Sequence, residues 1–87
     1  MYLHLGGNVS VKLSDIIGIF DLENTSVKKD TRLFLKKMQD NKRVINVSED
    51  LPKSFCVCAN GNNQSVYISQ ISPHTLNKRL DDFLKEY

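Results

Sequence analysis

"IIGIFDLENTSVKKDTRLFLKKMQDN", Ile16 to Asn41, changes its apolar period part-way along, and that change decides the fold. Ile16 to Glu23 is almost continuously apolar, the composition of a central strand covered on both faces, with Gly18 marking a bulge or a close backbone approach. Asn24-Thr25-Ser26 breaks the strand. Val27, Thr31, Phe34, Leu35 and Met38 then recur at i, i+4, i+7, i+8 and i+11, the stripe of an amphipathic helix. Ser26 or Thr25 is its expected N-cap, and its end is expected near Asn41.

Upstream, Tyr2 to Leu5 form a short extended run stopped by Gly6-Gly7-Asn8, after which Val9, Val11 and Leu13 alternate with Ser10 and Lys12. This predicts a hairpin. Downstream, "RVINV" (Arg43 to Val47) returns to strand composition, "SEDLPK" (Ser48 to Lys53) interrupts it, and "SFCVCA" (Ser54 to Ala59) resumes it. "NGNN", Asn60 to Asn63, predicts a tight hairpin turn answered by "SVYISQI", Ser65 to Ile71. Ser72-Pro73 opens a last helix, serine as cap and proline in the first helical position. Leu76, Leu80, Phe83, Leu84 and Tyr87 give that helix an apolar stripe. Residues 81–87 are expected either to project toward a neighbouring subunit or to lie on the chain's own sheet. The predicted fold is α+β: a small, mostly antiparallel sheet, one amphipathic helix central in the chain, and a C-terminal helix.

At 87 residues the chain is expected to form one domain spanning 1–87, too small to bury much more than about 60% of its unfolded surface. Two cysteines are too few for a secreted disulfide framework, so self-association is the expected supplement to stability. The first residues lack a basic segment followed by an apolar run, and no stretch approaches the roughly 18 apolar residues of a membrane span. A cytoplasmic location without membrane contact is expected.

Net charge is only +2, but it is unevenly placed. Between residues 27 and 43, seven cations (Lys28, Lys29, Arg32, Lys36, Lys37, Lys42, Arg43) face two acids, Asp30 and Asp40, a local excess of +5. At about 100° per residue, Lys28, Lys29, Arg32 and Lys36 gather opposite the apolar stripe as a basic ridge. A ridge of this kind can pair with nucleic-acid phosphates, or it can be an ordinary solvated face. Leu33 lies off the stripe, either simply exposed or packed against another chain.

Cys56 and Cys58 stand two apart on a predicted strand, so both thiols share a face while Phe55, Val57 and Ala59 take the other. Zinc would need further ligands from His4 or His74, and structural zinc cysteines usually straddle a tight knuckle. Buried reduced thiols acting as small hydrophobes are the better reading, with no metal and no cofactor. His4 and His74 have no nucleophile in an identifiable elbow, and no glycine-rich phosphate loop is present. Asp15, Asp21 and Glu23 would need a converging pocket to act as an acid/base pair, so no enzyme and no small-molecule substrate are expected.

"LHLGG" (Leu3 to Gly7), "DIIGIFDLE" (Asp15 to Glu23), "SEDLPKSF" (Ser48 to Phe55) and "YISQISPHTLNKR" (Tyr67 to Arg79) together resemble the RemA/RemB family of bacterial extracellular-matrix regulators, in particular its RemB branch. The resemblance runs from Tyr2 to about Arg79, with Asn24 to Asn46 similar only in pattern. It implies a small DNA-binding protein with a fold like that of LytTR-type DNA-binding domains, assembling into rings and regulating transcription of matrix (biofilm) genes. It also implies DNA contacts through arginines displayed around the ring. Here the sequence departs from the family: Leu51 and Pro52 stand near the positions of adjacent loop arginines, with Lys53 the loop's one cation. Asp15 matches a further expected arginine, and a carboxylate opposes phosphate.

The leading expectation is a non-enzymatic, homo-oligomeric DNA-binding regulator. Lys53 and the ridge Lys28, Lys29, Arg32 and Lys36 would hold DNA phosphates with little sequence reading. The rival is an oligomeric protein-interaction module that does not touch DNA, suggested by Glu49, Asp50 and Asp15 where relatives carry cations.

Overall fold

The computed structural model describes residues 1–22 and 28–85. Strands β1 (Tyr2–Gly6) and β2 (Val9–Lys12) form the predicted hairpin, a two-stranded sheet of its own. A 3-10 turn, Leu13–Asp15, leads to β3 (Ile16–Asp21). Helix α1 (Lys29–Asp40) is followed by β4 (Val44–Asn46), β5 (Ser54–Asn60), β6 (Asn63–Ser69) and helix α2 (Pro73–Leu84). The second sheet has the order β3-β5-β6-β4.

That order corrects the reading of Ile16 to Glu23 as a central strand: β3 is an edge strand, and the central pair is β5 and β6. An apolar run has no period by which to tell a doubly covered strand from an edge strand whose outward residues stay open. Ile17 is 61% exposed and Phe20 39%. Gly18 fulfils both parts of its expectation. The β3 to β5 register shifts between Ile16 and Gly18, and a Cβ on Gly18 would fall 2.7 Å from the Phe20 ring, which lies across it. Glu23, at the end of the predicted strand, lies outside the described residues.

The sheets are mostly antiparallel, as expected, but β4 pairs with β6 in parallel, Val44 opposite Val66 and Asn46 opposite Ile68. Asn60 pairs with Asn63 across the β5 to β6 turn, and Gly61 takes φ 62 at the first loop position, where a Cβ would be costly.

Alternation along β5 divides the core between the two faces of this sheet. Cys56 and Cys58 pack with Leu3, Leu5 and Val11 of the hairpin and with Leu76 of α2; Tyr67, Ile19 and Phe83 lie against that cluster. On the other face Phe55, Val57 and Val66 pack with Met38 of α1, joined by Phe34, Leu35, Val44 and Ile68. Phe83 shows that the C-terminal helix covers the chain's own core, although Leu84 is exposed. Tyr87, the last member of the predicted stripe, lies outside the described residues.

Helix α1 begins at Lys29, with extended Lys28 in the cap position making no side-chain cap bond. The predicted caps Thr25 and Ser26, and Val27 on the stripe, lie outside the described residues. Asp30 in the first turn suits the positive end of the helix dipole, and the helix closes at Asn41, as expected, with Lys42 at φ 58. Helix α2 has the predicted start: the Thr75 amide donates to Ser72 Oγ at 3.2 Å, with Pro73 in the first turn.

The hairpin is fastened by serines. Ser69 Oγ donates to the Leu5 carbonyl at 2.6 Å and accepts from the Ile71 amide at 3.0 Å, while Ser54 Oγ donates to the Ile71 carbonyl at 2.8 Å. Both serines are fully buried, and these bonds satisfy hydroxyls that would otherwise cost about 1–3 kcal/mol each.

Candidate functional site

The five cations singled out by the sequence fall on two elements. Lys29, Arg32 and Lys36 belong to α1 and are exposed, spaced i, i+3 and i+7 on its outer side, and exposed Lys28 precedes them at the helix start. Among the described residues none of the five is paired with a carboxylate, which leaves their charges available to an external anion.

Lys53 is held differently. Its amide donates to the Ser69 carbonyl at 2.9 Å, and its carbonyl accepts from the Leu22 amide at 3.0 Å. Its backbone is therefore pinned where β3 and β6 end and β5 begins, while its side chain is exposed. Ahead of it the loop Ser48 to Pro52 is braced by the Asp50 amide donating to Ser48 Oγ at 3.1 Å. On this base Glu49 and Asp50 are exposed, and Leu51 is 75% exposed. Lys53 thus does not join the α1 ridge: it sits beside two carboxylates on a loop at the end of the sheet.

A recess of about 560 Å³ opens between β3 and the start of α1. Ile17, Phe20, Phe34, Phe55 and Val57 line it, and Lys28 and Asp30 stand at it too. Phe20 and Phe55 stack with ring centroids 5.1 Å apart. Sequence reasoning missed this recess because it took β3 to be covered on both faces. It also set Leu51 near the loop-arginine positions without reading it as exposed, although its place beside a proline in a polar segment was the available signal.

The cysteines behave as expected of a packed pair. Their sulfurs lie 3.7 Å apart, both buried and reduced. The hydrogen bond to Cys58, aided by burial, pushes the Cys56 thiol up, and the same bond pulls Cys58 down. Burial also raises Tyr67. His4 Nε2 bonds the Gly7 carbonyl at 2.9 Å, and His74 is exposed in the first turn of α2. Asp15 ends the 3-10 turn and Asp21 lies opposite Ser54, at different ends of β3. Among the described residues no three His, Cys, Asp or Glu side chains gather as a metal site would require. Among the same residues no helix is long and apolar enough to cross a membrane.

The described residues thus combine an α+β fold with an exposed cationic helix face and a charged loop. The model of the RemA-like family, described as extracellular matrix regulatory protein A-like, matches residues 2–80, and the chain belongs to that family. It is also 40% identical over 79 residues to extracellular matrix regulatory protein B of Bacillus subtilis (strain 168), covering 91% of this chain and 89% of that protein. Family and relative alike carry the name of an extracellular matrix regulatory protein.

Proposed function

We propose that the chain is a non-enzymatic, homo-oligomeric regulator of extracellular-matrix genes that binds DNA through its phosphates. The observation that carries this reading is the exposed row Lys29, Arg32 and Lys36 on α1, with Lys28 at its head and no carboxylate partner among the described residues. Phosphate contacts of this kind position a protein on DNA without reading bases, so weak sequence preference and steep salt dependence go together. Lys53 supplies a separate, weaker contact, because Glu49 and Asp50 share its loop. The likeness to LytTR-type domains and the closed ring belong to the same proposal, as does folding as one domain.

The test is duplex binding by fluorescence anisotropy at several salt concentrations. Substituting Lys29, Arg32 and Lys36 together by alanine is expected to weaken binding and reduce the salt slope by up to roughly 3. Unchanged binding would remove the ridge from the account. A second reading, an oligomer that binds protein and leaves DNA alone, is favoured by the acidic loop around exposed Leu51. Absence of binding at micromolar protein and low salt, by a sample shown to be assembled, would select it.

A further inference from the structure

Helix α1 ends at a second recess, of about 360 Å³, that the ridge does not use. It lies between the close of the helix and the β5 to β6 turn, lined by Lys37, Met38, Asn41, Arg43, Asn62 and Gln64. Met38 is its one apolar member and belongs to the core; the other five side chains all carry N–H donors, two of them fully charged. Among the described residues no carboxylate lines the recess, and neither Lys37 nor Arg43 is paired with one. Cations at a helix end ordinarily serve its last carbonyls. Here those carbonyls are already taken: the amides of Asn41, Lys42 and Arg43 donate to the carbonyls of Lys37, Gln39 and Met38 at 3.1, 3.0 and 2.8 Å. The reversal that makes this possible holds Lys42 at φ 58, a left-handed conformation costly for a residue with a Cβ, and brings Arg43 to the same recess as Lys37. The Arg43 carbonyl accepts from the Val66 amide at 2.9 Å, so the backbone beneath the guanidinium is fixed from both sides.

We propose that this recess binds the phosphate group of a small phosphorylated molecule. Two cations and three carboxamides offer more donors than the two oxygens of a carboxylate can use, and they match the three terminal oxygens of a phosphate monoester. Arg43 supplies a planar fork for two of those oxygens, and Lys37 a point charge from the other side. No aromatic ring lines the recess among the described residues, so recognition rests on the phosphate, with no platform for a base. At about 100° per residue Lys37 lies one step round from Lys36, off the row of Lys29, Arg32 and Lys36. A duplex lying along that row leaves the recess free, and the site stands whether or not the chain binds DNA.

Isothermal titration calorimetry of the full-length chain with inorganic phosphate and with pyrophosphate tests this. Saturable binding is expected, with a dissociation constant on the order of 0.1–1 mM and pyrophosphate the tighter of the two. Arg43→Gln and Lys37→Met are each expected to weaken it about tenfold or more, without moving the urea midpoint, because both side chains are exposed. The triple alanine variant of Lys29, Arg32 and Lys36 is expected to bind phosphate within about twofold of the unaltered chain, since those side chains do not line the recess. Failure to saturate by about 10 mM, binding that survives both single substitutions, or an equal loss in the triple variant would overturn the site. Duplex DNA is the last arm, read by anisotropy: Arg43→Gln is expected to leave its binding within about twofold. A loss of duplex binding in step with the loss of phosphate binding would give the recess to the DNA backbone and overturn the assignment to a free ligand.

Discussion

On one face of the four-stranded sheet Leu3, Leu5, Cys56 and Leu76 are essentially sealed, whereas on the other Ile17 and Phe20 remain open to solvent. Both faces have an amphipathic helix. The difference is the hairpin: β1 and β2 complete the cysteine side, and the phenylalanine side has α1 alone across strands of uneven coverage. Apolar burial is close to complete on the first face, and among the described residues the second keeps apolar area in contact with water.

The largest effect that could break this contrast is Leu76→Ala. On the sealed side, with no room to relax into solvent, it is expected to cost about 2–5 kcal/mol in urea denaturation. A loss under about 1 kcal/mol would show that face to be looser than described.

Next in size is the alkaline response of the same face. Cys56 is held above the ordinary value of 9.0, and burial raises Tyr67 from 10.0, so the folded chain keeps protons that the unfolded chain releases. The Cys56 contribution is then fully present below pH 9 and falls as pH rises above it, by about 1 kcal/mol per unit, whereas depressed Cys58 acts in the opposite sense and adds stability as pH rises toward 9. Urea midpoints between pH 8 and 10.5 measure this, and Cys56→Ala is expected to flatten the slope.

The smallest effect sharpens the comparison from the open side. Ile17→Ser is expected to shift monomer stability by no more than about 0.5 kcal/mol, since its side chain already faces water. Destabilisation comparable to that of Leu76→Ala would mean that the recess is structural.

Local signals in the sequence carried over well. Gly61 in the turn, Ser72 and Pro73 at the start of α2, the Phe34, Leu35 and Met38 stripe and the shared face of Cys56 and Cys58 all act through neighbours a few residues away. What stayed hidden was pairing between distant segments. Nothing in Ile16 to Asp21 says that its second neighbour is solvent, and nothing in the three residues of β4 announces a parallel partner. The candidate site divides along the same line. The exposure of Lys29, Arg32 and Lys36 follows from helical period, but the separation of Lys53 from them, and the recess at Lys28, depend on sheet order.

The bond from Ser69 to Leu5 also sets an order of events. It joins residues 64 apart, and the remaining cover for the hairpin's apolar side, Leu76, comes later still in the chain. During synthesis the hairpin is made well before the residues that hold it. Two isolated strands are marginal in water, so the hairpin waits with Leu3 and Leu5 uncovered until β6 and α2 have emerged. Truncation ahead of α2 would therefore damage β1 as much as α2.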